Sequence, residues 1–342
     1  MSSEDFDQIL QFVIAGRLNR DTILPISGAP QVDILGGNLP YATVGLNLWG
    51  ETAGLIAKVD ADYPIDWLDQ FASRGFDLKG IKVSADPIET RRFIAHIDST
   101  TTHYQNPVQH FADRGLSFPK NLLGFNSDKP NLSSRTTPTD SSIRITDIPK
   151  HYLEASAVHI CPIDFVAHRL LPSIFHQGQA TTITLSPDPG YMSPSFWEEI
   201  PSLLSELTAF ITSEADIRNL FQGRKTDLWE MAAVLANFGP EFILIQTTTR
   251  GYFVLDRIND RRWVVPDYPA QSNDPTGVSD AFAGGFLAGY RRTYDPLEAT
   301  LMGCVAASFV MEGSGVYYAL NAMPRLIELR LEALRDLVRE IH

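Results

Sequence analysis

The chain has 342 residues, 44% hydrophobic and 20% charged, with a formal net charge of −13. That length carries one large α/β core or two modest ones, and the acidic balance argues against a duplex-binding surface, leaving room only for a local basic patch. The two cysteines, Cys161 and Cys304, supply neither a disulfide framework nor a four-thiolate zinc site, and no apolar run reaches the ~18–20 residues of a membrane span. The acidic start, Met1 to Asp7, lacks the basic region of a secretory signal, so a cytoplasmic protein with no nucleic-acid or membrane partner is expected.

Ile9 to Ala15 is a short apolar run that predicts a buried strand ending at Gly16. A second, half-exposed strand follows through Asn19-Arg20-Asp21. Asn19 and Asp21, two apart, share a face if the segment is extended, and the pair has the donors and acceptors to grip a diol. Turn chemistry is the plainer reading of the same residues. Gly36-Gly37-Asn38 permits a turn or a close backbone approach, and Tyr41 to Trp49 predicts a buried helix ending at Gly50. Gly54 to Val59 predicts a strand, and Trp67, Leu68, Phe71 and Ala72 recur at helical spacing up to Gly75. Thr90 to Ile97 alternates as a strand with one wet face. Residues 98–142 are the least regular part of the chain, an insertion or a cover.

Order returns with a strand at Ala157–Cys161, and strands and helices then alternate to Ile245. That alternation implies a mostly parallel sheet covered by helices on both faces, a doubly wound α/β fold. The half-exposed strands near 17–35 and 84–97 do not fit that sheet, which suggests a small sheet projecting from it. A hairpin over Gly251–Val265 leads to Asn273-Asp274-Pro275-Thr276-Gly277-Val278-Ser279-Asp280, a polar loop entering an apolar helix. Helix starts offer unpaired N–H groups and partial positive charge to an anion. An acid there, Asp280, suits the base that takes a proton from a hydroxyl attacking phosphorus. An N-cap is the plainer reading of the same acid, since most Asp residues before a helix are only caps. His103, His110, His151 and His159 have no metal-ligand spacing. No Gly-x-Gly-x-x-Gly follows the first strand, which argues against a dinucleotide-dependent oxidoreductase.

Asp274 to Phe282 resembles the C-terminal signature of the ribokinase-like (PfkB) carbohydrate kinases, commonly Asp-Thr-x-Gly-Ala-Gly-Asp-x-Phe. Gly36-Gly37 before a small-residue helix resembles the family's N-terminal signature, and Asn19-Arg20-Asp21 resembles its sugar-contacting Asn-x-Asp. The order agrees over about 10–320. The resemblance implies one ribokinase-like domain over 1–342, with a lid, that uses ATP and Mg2+ to phosphorylate a sugar, or alternatively a nucleoside. It makes Asp280 the general base and Gly277, Val278 and Ser279 the anion hole. It assigns substrate contacts to Asn19, Asp21, Gly36, Gly37, Asn38 and Tyr41, and nucleotide contacts to Thr248, Arg250, Gly251 and Thr276. Asp216, with Glu214, matches its magnesium carboxylate, and Asp274 a K+ site found in parts of the family. It also suggests a homodimer through the lid.

The chain departs from the pattern. Val278 and Ser279 replace Ala and Gly, which carries about 1–2 kcal/mol of strain if position 279 needs positive φ. Tyr41 stands where substrate-contacting Asn is frequent, and can stack on a base or cap a sugar pocket. Ser213 and Asp216 replace Asn and Glu. A weakened, kinase-like protein that binds sugar or nucleotide without transfer therefore stands as the third reading.

Overall fold

The computed structural model describes residues 10–126 and 133–341. Ile9, where the first strand was expected to begin, and residues 127–132 of the irregular stretch lie outside the described residues.

The chain opens with β1 (Phe12–Ala15), then β2 (Asn19–Leu24) and β3 (Gln31–Gly36), and returns through α1 (Asn38–Asn47) to β4 (Ala53–Asp60). Next come α2 (Asp69–Ser73), β5 (Asp77–Ser84), β6 (Arg91–His96), β7 (Thr102–His103) and α3 (Pro107–Asp113). Alternation follows: β8 (Ala157–Ile160), α4 (Phe165–Gln177), β9 (Thr182–Leu185), α5 (Ile200–Leu204), β10 (Ala209–Ser213), α6 (Glu214–Leu220), α7 (Leu228–Ala236) and β11 (Phe242–Thr247). The hairpin β12 (Gly251–Asp256) and β13 (Arg261–Val265) leads to α8 (Val278–Thr293), α9 (Pro296–Met311), α10 (Pro324–Arg335) and β14 (Arg339–Glu340).

Ten of these strands form one sheet in the order β14-β13-β12-β11-β10-β9-β8-β1-β4-β5. The run from β5 to β11 is parallel, and β12, β13 and β14 extend one edge in antiparallel sense. Strand alternation divides the core in two. Phe12 and Ile14 face α1, α8 and α9, while Val13 and Ala15 face α4 to α7. Central strands buried on both faces read as continuous apolar runs, which is why β8 and β11 were legible. This is the expected doubly wound α/β architecture.

The second sheet has the order β3-β2-β6-β7. Strand β5, which ends at Ser84, belongs to the main sheet beside β4, so the small sheet takes up the later segment only from Arg91. In its described part the irregular 98–142 stretch packs on the small sheet. It supplies β7 and α3, and Phe111 and Leu122 close a small apolar cluster against Leu24, Phe93 and Ala95 of the sheet. Arg114 fixes it there by donating to the carbonyls of Pro25 and His96 at 2.8 and 2.7 Å.

Candidate active site

The start of α8 is set by glycine. Gly277 is the N-cap at φ 76°, the left-handed region that disfavours a side chain. A Cβ there would also lie 2.0 Å from the Tyr41 ring. Ser279 lies inside the helix and is absent from the positive-φ residues, so the strain considered for it does not arise. Its hydroxyl donates to Gln246 Oε1 at 2.5 Å, tying α8 to the end of β11. Val278 instead turns into the core.

Asp280 is in the first turn of α8 but is not its cap, because Gly277 holds that place and no side chain caps the helix. The N–H groups of Gly277, Ser279 and Asp280 accordingly have no backbone partner among the described residues. The Asp280 carboxyl is half-buried and also accepts no hydrogen bond among them. Burial pushes its pKa up to about 7; the Arg92 guanidinium opposes that rise and the Asp21 carboxylate adds to it. An acid poised near neutrality beside unpaired N–H donors is what a base for phosphoryl transfer requires.

Asp21 and Arg92 are register partners on β2 and β6. Arg92 donates Nε to Oδ1 at 3.1 Å and Nη2 to Oδ2 at 3.0 Å, a bidentate pair with Asp21 wholly buried. Burial raises the Asp21 pKa by more than Arg92 and the Gly37 N–H lower it. The Gly36-Gly37 pair is fitted to this carboxylate. A Cβ on Gly36 would sit 2.0 Å from Asp21 Cγ, and Gly37, at φ 98°, donates its N–H to Asp21 Oδ2 at 3.4 Å. Asn19 is half-buried on the same strand, two residues away.

Two expected substrate contacts are spent on the fold. Asn38 accepts from the Arg17 N–H at 2.7 Å and donates to the Pro162 carbonyl at 2.6 Å, so its amide staples the ends of β1 and β8. Tyr41 is fully buried with its ring against Gly277, so it cannot stack on a base. Its hydroxyl has no hydrogen-bond partner among the described residues and lies in the field of Asp274, Asp21 and Asp280.

On the other side, Gly251 turns the hairpin at φ 74°, with the Val265 carbonyl too close for any side chain. Thr248 and Arg250 are exposed. Arg250 stacks on Phe253 and reaches Glu214 at 3.4 Å, and Arg218 holds the same carboxylate at 2.7 Å. Two guanidinium groups make Glu214 a poor cation ligand, which corrects its metal assignment. Asp216 accepts from Ser213 Oγ at 2.7 Å while its N–H donates back to that oxygen at 3.0 Å, so it completes the cap of α6. Among the described residues no group of three or more His, Cys, Asp or Glu gathers as a metal cage. Thr276 is buried, and its hydroxyl lies 2.7 Å from His96 Nε2 of the small sheet. Asp188 accepts from the Gly190 N–H at 2.8 Å and pairs with Arg17 at 3.0 Å.

Arg92 and His96 went unnoticed in the sequence. Their signal was present: Arg92, Ile94 and His96 share one face of an alternating strand, and that face meets Asp21.

A family model described as pfkB family carbohydrate kinase matches residues 150–323, just over half of the chain. The chain belongs to this family. This pfkB family kinase is 25% identical to a cytidine kinase from Thermococcus kodakarensis over 308 residues, 90% of the chain and 98% of that protein. Its fold matches an E. coli protein described as a ribokinase II, solved with ATP and Mg2+, at a TM-score of 0.68 and 15% identity over 95% of this chain and 99% of that one. It also matches a Burkholderia thailandensis nucleoside kinase solved with inosine, at a TM-score of 0.64 and 18% identity over 94% and 98% of the two chains. Among the described residues no helix of the kinase is long and apolar enough to cross a membrane.

Proposed function

We propose that this kinase transfers the γ-phosphoryl group of ATP to a hydroxyl of a nucleoside, with Asp280 as the base. The observation that carries the reading is Asp280 itself, raised to about 7 at the head of an uncapped helix. The carboxylate takes the proton of the attacking hydroxyl, and the N–H groups of Gly277 and Ser279 stabilise the charge on the transferring group. Asn19 and the Asp21–Arg92 pair orient the acceptor. Thr248, Arg250 and Gly251 border the nucleotide on the β11–β12 side.

Magnesium is expected to come with the nucleotide. It keeps several waters and needs only one or two carboxylates besides phosphate. Asp216 fits that demand, because Ser213 engages only Oδ2 and leaves Oδ1 to a metal-bound water. When bound, the metal neutralises phosphate charge. A nucleoside is preferred over a free sugar because the relative that spans 90% of this chain is a cytidine kinase. A free sugar is the second reading, supported by the polar Asn19–Asp21 strand. ADP release measured over pyrimidine and purine nucleosides, pentoses and hexoses separates them. We expect turnover with at least one nucleoside. Turnover confined to free sugars would refute the nucleoside reading, and no turnover across the panel would favour a binding protein.

A further inference from the structure

Asp274 is almost completely buried, 1% exposed, so its charge needs compensation. Hydrogen-bond donors around it provide that compensation. Oδ1 accepts from the Thr276 N–H at 3.0 Å and lies 3.2 Å from His96 Nε2, and Oδ2 accepts from the Ser314 hydroxyl. Burial alone would raise the Asp274 pKa, but bonds from His96, Ser314 and Thr276 hold it below the usual range. Three backbone oxygens nearby also accept hydrogen bonds already. The Met311 carbonyl accepts from the Asn273 and Asp274 N–H groups, the Asn273 carbonyl from Ile26, and the Glu312 carbonyl from the Asn273 amide. A cation here would have to share these oxygens with the donors that already hold them.

We propose that His96, rather than a monovalent cation, sets the 274–277 loop of this kinase. His96 projects from β6 of the small sheet, buried, with Nδ1 2.9 Å from Thr102 Oγ1 and Nε2 shared between Thr276 Oγ1 and Asp274. Thr276 immediately precedes Gly277, so one ring joins the lid sheet to the start of α8. Ile26, just beyond β2, adds a second tie through its N–H to the Asn273 carbonyl at 2.9 Å. His96 is thus a positioning residue: it touches no reacting atom and acts through Thr276 and Asp274. The family's K+ site does not fit these residues.

The test uses the full chain in potassium, sodium and choline chloride at one ionic strength, with the acceptor found by the panel above. We expect rates within about twofold across the salts, since screening is held constant, and no potassium-dependent shift in the thermal midpoint. A saturable gain with potassium of about tenfold in rate, or a midpoint that rises with potassium concentration as ligand linkage requires, overturns the proposal. The midpoint does not depend on turnover, so it decides the cation question even if the proposed acceptor class is wrong. In His96→Ala we expect the acceptor KM to rise by about tenfold or more, the size of a lost hydrogen bond to a charged group, with a smaller fall in kcat. Amide exchange in β6 and 273–277 should quicken, and His96→Gln, which keeps an N–H donor, should restore most of both. Unchanged KM and exchange in His96→Ala would refute the positioning role. Should the alanine variant not fold, the salt comparison on the unaltered protein still decides.

Discussion

Asp280 shows how one residue gains meaning from its neighbours. In the sequence it was a cap or a base. The fold gives the capping position to Gly277 and leaves the carboxyl in the first turn without a partner among the described residues. The cost of burial then raises its pKa to about 7. The sign has a direct consequence. The group works as a base only when ionised, so kcat/KM should climb with pH through about 7, with unit slope below and a plateau above. A profile flat from about pH 5 upward, as for an ordinary carboxylate, would count against the raised value. Ser279 and Val278 looked like costly departures in the sequence. They are tolerated because the positive φ belongs to Gly277, which is retained.

At the scale of elements, α8 is held by close backbone contact. A Cβ on Gly284 would lie 1.9 Å from the Ala42 carbonyl of α1, and one on Gly45 would lie 1.9 Å from the Ala281 carbonyl of α8. The helices therefore lock together just below Asp280. Replacing a helical Gly by Ala usually gains about 0.5–1 kcal/mol. Here the clash is with backbone, which cannot move aside, and overpacking of about 1–3 kcal/mol should win. Gly284→Ala is therefore expected to lower the thermal midpoint and, by displacing α8, to lower kcat. A midpoint at or above the parent's would show that the contact yields. Neither Gly45 nor Gly284 announces this role in the sequence, since only the packed fold shows which backbone each meets. The small sheet was half-legible for a similar reason. Strand β6 declared itself by alternation, whereas α3 is seven residues long and too short to show a period.

Across the whole molecule, the sequence revealed the architecture better than the site. The parallel strands are buried on both faces and read as apolar runs, so the doubly wound sheet could be drawn from hydropathy alone. The site depends on contacts between residues far apart in the chain. Asp21 meets Arg92, and Asp274 meets His96, Ser314 and, through the backbone, Met311. No spacing announces such pairs. That is why Asn38 and Tyr41 were expected at a ligand and are engaged in the fold, and why Glu214 was expected at a metal and lies between two arginines. What emerges is a kinase scaffold in which the lid sheet, the 273–277 loop and the head of α8 are hydrogen-bonded into one unit beside Asp280.

The most direct test of this account is single-turnover phosphoryl transfer by Asp280→Asn with the acceptor identified by the panel. The amide keeps the shape and removes the base, so transfer should fall by at least about 10²–10⁴-fold. Nucleotide binding should persist. The thermal midpoint at alkaline pH should equal or exceed the parent's, because a carboxyl with a raised pKa loses stability as pH rises through about 7 and the amide does not. Transfer within about tenfold of the parent, in a folded variant that binds ATP, would remove Asp280 from the role of base.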